Sequence, residues 1–271
     1  MQDPAYVLGH SDREVSRLRN QARFLEPITR GFLEAAGLAQ GMTVLDVGSG
    51  AGDVAFLAAE LVGPTGTIIG VDKVASAVEA AAAAAAARGL GQVSFRQGDA
   101  GEMSFERPFD AVIGRYVLLF QADASATLRD LIRHLRPGGR VVFHEPDWVS
   151  ARSAPAAVIY DRCCRWIQEV FRLSGTDGNM ADRLYGIFVR AGLGAPAMRM
   201  HTFIGGPGAS ERFLEAIADL IATLVPTIER LGIATTAEVD IATLVERMKR
   251  EVAAKDCVII GRSEIGAWAR V

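Results

Sequence analysis

Thr43-Val44-Leu45-Asp46-Val47-Gly48-Ser49-Gly50-Ala51-Gly52-Asp53 is the stretch whose reading decides the fold. Residues 43–47 are short, β-favouring and bounded by Gly41 and Gly48, the pattern of a buried strand. Three glycines at alternate positions follow. Without Cβ atoms at 48, 50 and 52 the backbone can approach a ligand closely, while N–H groups at the start of the next helix remain available to it. Asp53 opens a helical pattern that runs to about residue 61 and stops at Gly63-Pro64. In open parallel sheets, ligands bind beyond the carboxyl ends of the strands, and the first strand-to-helix turn is the usual cradle.

Toward the C-terminus the alternation continues. Strands are predicted over 67–71, 93–97, 109–114 and 140–144, with helices over 76–88 and 124–134, the latter ended by Pro137-Gly138-Gly139. Five short apolar strands separated by helices require crossover connections, which argues a doubly wound parallel α/β sheet with helices on both faces. Beyond Trp148 the pattern is mostly helical, over 156–173, 181–191, 210–231 and 236–254, with strand-like runs at 198–203 and 257–261. The segment between those two runs is too long for a hairpin loop and reads as a helical cap. Toward the N-terminus, Ser11 and Glu14 form a capping box. The helix that follows is expected to stop at Pro27, which begins a second helix ending at Gly37. The chain thus divides into an N-terminal helical arm (1–40), an α/β core (41–150) and a cap interleaved with the last two strands (151–271).

Composition limits the partners. Among 271 residues, 29 Lys and Arg are outnumbered by 32 Asp and Glu, a net charge of -3 that argues against neutralising a nucleic-acid backbone. The first residues are polar, no run is long and apolar enough to span a bilayer, and three cysteines form neither an even framework nor a metal-ligand pattern. The expectation is a cytoplasmic protein, with no membrane and no metal, acting on a small molecule.

Asp72 ends the second predicted strand, where a carboxylate can take the hydroxyls of a ribose. A dinucleotide reading would require glycine at 53, but Asp53 stands there, and an acid at the helix start opposes a pyrophosphate. A ligand carrying an amine and a sulfonium suits these acids, with Asp46 as a partner for the amine, directly or through water.

At this point the sequence resembles a known family, the class I S-adenosylmethionine-dependent methyltransferases of small-molecule type. Residues 44–52 are similar to the first motif of that family, Val71-Asp72 to its ribose-binding acid, and Gly98-Asp99-Ala100 to its adenine-contacting segment. Phe109-Asp110-Ala111-Val112 and Leu135-Arg136-Pro137-Gly138-Gly139 resemble the fourth-strand motif and the turn before the fifth strand. The resemblance implies a Rossmann-like sheet of seven strands, five parallel plus an antiparallel final pair. It implies S-adenosyl-L-methionine as cofactor, held by Asp46, Gly48, Ser49, Gly50, Gly52, Asp72, Lys73, Asp99, Ala100 and Arg115. The acceptor it implies is an O or C atom of a small aromatic metabolite of secondary metabolism. The Asn/Asp-Pro-Pro-Tyr signature of nitrogen methylation is replaced by Ile113-Gly114-Arg115-Tyr116.

Several roles stay open in the sequence. Arg115 holds either a carboxylate of the ligand or a neighbouring acid such as Glu145. Tyr6 either closes the methyl pocket or packs on the surface. His144 is a candidate base, unless strand alternation buries it and turns Glu145 to the pocket. A non-catalytic cofactor-binding sensor and a nicotinamide-dependent oxidoreductase are the alternatives to a methyltransferase, and an apolar cap would suit a homodimer.

Overall fold

In the computed structural model, secondary structure is described for residues 12–176 and 178–271, with side chains from Phe24 onward. In chain order the elements are α1 (Asp12–Ala36), β1 (Thr43–Val47), α2 (Asp53–Val62), β2 (Thr67–Asp72), α3 (Ala75–Ala87), β3 (Val93–Gln97) and β4 (Phe109–Arg115). A 3-10 turn (Leu118–Phe120), α4 (Ala124–Ile132), β5 (Leu135–Asp147), β6 (Arg152–Ala154), α5 (Val158–Leu173), α6 (Met180–Arg190) and β7 (Ala197–Gly205) follow. The chain closes with α7 (Pro207–Arg230), α8 (Thr236–Val239), α9 (Leu244–Ala254) and β8 (Val258–Arg270).

Two compact units divide these elements. The first comprises Leu25–Glu145, Ala181–Arg199 and Ile265–Val271. Its strands run in the order β3-β2-β1-β4-β5, all parallel, followed by the end of β8. Gly138 donates its N–H to the Val271 carbonyl at 2.9 Å, and Val271 returns one to Gly139 at 3.0 Å. The chain winds outward from β1 through β2 to β3, then crosses back to place β4 on the other side of β1. That reversal is the switch point at which this architecture opens a crevice. Leu33 of α1, Val54 to Ala59 of α2, Ala85 of α3 and the inward residues Val44, Ile68, Ile113 and Val142 form one buried core.

The second unit comprises Pro146–Met180 and Met200–Glu264 together with the first part of α1. Here β6 pairs antiparallel with β8, and β7 also pairs with β8. Tyr160, Cys163, Cys164 and Ile167 of α5 pack with Leu214, Ile217 and Ile221 of α7 and Met248 and Val252 of α9. The adjacent cysteines are therefore part of this core, and burial pushes both thiols up to about 12. None of the described helices is long and apolar enough to cross a membrane.

Four expectations are corrected. Pro27 lies inside α1 instead of starting a second helix, because the buried stripe Leu25, Thr29, Phe32, Leu33 and Ala36 runs along one face past it. Eight strands are described where seven were expected, the addition being three-residue β6. The expected helix over 236–254 is broken at Asp240, which takes a left-handed conformation at φ 43°. Residues 135–139, read as a turn, are the beginning of β5, with an irregularity in its pairing to β4.

Candidate active site

Every described residue expected at the site lies in the first unit, and each strand delivers its share at the carboxyl end. β1 brings Asp46 and the glycine turn, β2 brings Asp72 and Lys73, and the segment after β3 brings Asp99 and Ala100. Arg115 ends β4, and His144 and Glu145 lie in β5. Tyr6 lies outside the described residues.

The turn is built as the sequence requires. Gly48, Gly50 and Gly52 all have positive φ, at 63°, 51° and 90°, where a side chain would be strained. A Cβ on Gly52 would lie 2.7 Å from the Phe56 ring and 2.9 Å from that of Phe95, so this glycine is needed for packing. A Cβ on Gly50 would meet nothing within 4 Å, which leaves this backbone open to approach. Asp72 fastens the turn: its carboxylate accepts the Gly50 N–H at 2.8 Å and the Val74 N–H at 2.9 Å.

Asp46 is 1% exposed, and neither of its carboxylate oxygens has a hydrogen-bond partner; the hydroxyl of buried Ser49 is likewise unpartnered. Burial pushes the Asp46 carboxyl up to about 8, with Arg115 pulling it down and Asp72 pushing it further up. Burial without a partner disfavours the ionised form, and a cation delivered to this group would favour the carboxylate and bind to it. Together with the open backbone at Gly50, this fits a ligand that carries an amine and reaches the turn through its backbone.

Lys73 and Asp99 meet each other at 3.1 Å on the surface, and Asp99 also accepts the Gly101 N–H. The Ala100 carbonyl accepts from Nε2 of His134 at 2.8 Å, which fixes the backbone of this segment. Arg115, only 13% exposed in its side chain, approaches Asp53 at 3.8 Å and donates to the Thr29 hydroxyl at 3.3 Å. The acid opposite Arg115 is thus Asp53 from the start of α2.

Glu145 is met by backbone amides. It is fully buried, and its carboxylate accepts the N–H groups of Val117 at 3.0 Å and Leu118 at 2.8 Å, with Leu119 at 3.4 Å. It caps the start of the 3-10 turn after β4, a carboxylate held by a nest of amides. Preceding that turn is Tyr116, a non-glycine residue at φ 60° whose N–H donates to the His144 carbonyl at 2.8 Å. His144 itself is 2% exposed. Its ring is met edge-on by Phe32 at 5.0 Å and Tyr116 at 5.7 Å, and its Nδ1 lies 3.0 Å from the Thr29 hydroxyl.

Thr29 and Tyr116 were not singled out in the sequence. Tyr116 carries the strain that often accompanies a functional rim, and no sequence signal marks a positive φ at a tyrosine. Thr29 sits in an ordinary helical stripe, and its tie to a residue 115 positions away is a tertiary fact.

Comparison with known proteins agrees with this architecture. A family model described as a methyltransferase domain matches residues 38–192. The chain is similar to nocamycin O-methyltransferase of Saccharothrix syringae, 42% identical over 44% of this chain and 42% of that protein. It is also similar to an aklanonic acid methyltransferase of a Streptomyces species, 35% identical over 54% of this chain and 69% of that protein. The match to the nocamycin enzyme therefore spans less than half of that relative's length. A solved geranyl diphosphate methyltransferase shares the fold, with a TM-score of 0.58 at 17% identity over 98% of this chain and 94% of that one. With its glycine turn, its switch-point acids and a family match over more than half its length, the chain belongs to the class I S-adenosylmethionine-dependent methyltransferase family.

Proposed function

We propose that this protein transfers a methyl group from S-adenosylmethionine to an oxygen or carbon of a small, partly apolar, aromatic metabolite. The observation that carries the proposal is Asp46, a buried carboxylate with no partner beside a glycine turn whose backbone is open at Gly50. The names of the two relatives above, both acting on small natural products, support the acceptor class.

When bound, the cofactor supplies a methyl group already activated on a sulfonium. The chain's own task is to bind, orient and keep water away. Asp46 receives the amine end and Ser49 adds a hydroxyl. Gly48, Gly50 and Gly52 let the backbone approach. Asp72 takes the ribose hydroxyls with the lone pairs that the Gly50 and Val74 amides leave available, and Lys73, Asp99 and Ala100 form the rim at the base. Arg115, already shared between Asp53 and Thr29, neutralises a carboxylate at this end of the crevice. His144 takes the proton that an acceptor hydroxyl or enol must lose as its bond to carbon forms. Glu145 acts indirectly by fixing the Val117–Leu118 backbone, and so the placement of Tyr116.

The test is incubation with methyl-labelled S-adenosylmethionine and a panel of phenols, enols, quinones and indoles, followed by mass detection. The proposal expects one acceptor class to gain a methyl with release of S-adenosylhomocysteine. Tight cofactor binding with no transfer to any acceptor would contradict it and leave a sensor or scaffold.

A further inference from the structure

At two of the three turn glycines the space for a side chain is already taken. Phe56 and Phe95 take it at Gly52, and at Gly48 it is taken by a residue from the segment after β4. A Cβ on Gly48 would lie 3.0 Å from Cγ2 of Val117, and a Cβ on Gly114 in β4 would lie 3.1 Å from the same methyl. That methyl therefore sits against both the first glycine of the turn and the strand beside it, on a side chain that is buried. The Val117 backbone is held at both of its polar groups. Its N–H donates to the Glu145 carboxylate at 3.0 Å, and its carbonyl accepts the Phe120 N–H at 3.2 Å and Nε2 of Gln121 at 3.3 Å. A β-branched side chain is stiff at its first torsion, so fixing this backbone also fixes where the methyl lies.

We infer that Val117 is a positioning residue of the glycine turn, through which Glu145 of β5 holds the first glycine as Asp72 of β2 holds the second. The two restraints reach the turn from opposite sides of β1, since β2 pairs with one edge of that strand and β4 with the other. They differ in kind. Asp72 acts by a charged hydrogen bond on the Gly50 amide, whereas Val117 acts by volume against Gly48. A turn with glycine at three alternate positions has more conformational freedom to lose than any other sequence, and a ligand lying on it bears that cost unless the protein has already fixed the turn. The valine wedge and the acid behind it supply this fixing from the β4 side. The consequence for binding rests on the reading of the turn as the cofactor's cradle, whereas the restraint itself does not.

Amide hydrogen exchange in the full-length protein without ligand reads the restraint, and calorimetry with S-adenosylhomocysteine reads its consequence. The Ser49, Gly50 and Gly52 amides donate to the Val71 carbonyl, the Asp72 carboxylate and the Ser49 carbonyl. In Val117→Ala these three are expected to exchange faster, while the Ile68 amide, bonded to the Gln92 carbonyl at the amino end of β2, keeps the parent rate. The Kd is expected to weaken roughly 10-fold. Glu145→Gln should weaken it less, and combining Glu145→Gln with Val117→Ala should weaken it no further than Val117→Ala alone, because the acid acts through the valine. Parent-like exchange in the turn, an equal acceleration at Ile68, or the parent's Kd in Val117→Ala overturns the inference, as does a double variant whose loss is the product of the single losses. If Val117→Ala fails to fold, the parent decides: a nuclear Overhauser contact from a Val117 methyl to the Gly48 Hα supports the wedge, and its absence overturns it. A parent that binds no S-adenosylhomocysteine overturns the reading of the site, and the exchange rates then decide the restraint without it.

Discussion

Asp72 ties the end of β2 to the glycine turn after β1, its Oδ2 accepting the Gly50 amide at 2.8 Å while Oδ1 accepts Val74 at 2.9 Å. The carboxylate expected to grip the ligand is thus also the clamp that shapes the loop the ligand lies on. Binding and loop geometry are coupled through one side chain.

The glycines of that turn should separate folding from binding. Gly52→Ala drives a methyl into the Phe56 and Phe95 rings and strains a residue at φ 90°, so a loss of roughly 2 to 4 kcal/mol in stability is expected. Gly50→Ala meets no atom within 4 Å, and only its positive φ costs stability, about 1 kcal/mol. Yet it puts a methyl on the open backbone. Chemical denaturation should rank Gly52→Ala as the less stable, while calorimetry should find cofactor binding impaired in Gly50→Ala. Parent-like affinity in the latter would remove the open backbone from the site.

Asp46 makes the apo protein sensitive to pH. Its folded carboxyl is pushed up to about 8, against an ordinary value of 3.8, so between these values the folded state holds a proton that the unfolded state has lost. The stability contribution is complete below about pH 4, declines as pH rises and is gone above about pH 8, a total on the order of 5 kcal/mol. Asp46→Asn should remove that decline and be the more stable protein at pH 8, while binding the cofactor more weakly. A parent melting temperature that rises from pH 5 to pH 8 by as much as that of the asparagine variant would contradict the unpaired state of this acid.

Glu145 is expected to reveal itself in stability. Glu145→Ala leaves buried amides of Val117 and Leu118 without an acceptor, a loss of roughly 3 kcal/mol or more. Glu145→Gln, which keeps one accepting oxygen, should fall in between. Thermal unfolding at the parent temperature for the alanine variant would show that the carboxylate is not needed to hold the turn.

Much of the architecture was legible because it follows from local pattern. β1 and β3 occupy the expected residues, and the three glycines expected to form the turn after β1 do so, each at positive φ. What escaped the sequence was decided elsewhere in the molecule. Pro27 is carried inside α1 because the buried face from Leu25 to Ala36 runs past it, outweighing the lost amide. The capping box of Thr235 and Glu238 marks the start of α8 where a helix was expected, but carries no sign of the break at Asp240. The tasks of Glu145 and Thr29 depend on partners 27 and 115 residues away, beyond any periodicity.

The central claim is that the glycine turn and its acids bind S-adenosylmethionine, and equilibrium calorimetry with S-adenosylhomocysteine on the parent and on Asp72→Ala tests it most directly. Saturable one-to-one binding by the parent is expected, weakened about 10- to 100-fold in the variant, as loss of a charged hydrogen-bond partner implies. A parent protein that shows no binding, or a variant that binds with the parent's Kd, would contradict it.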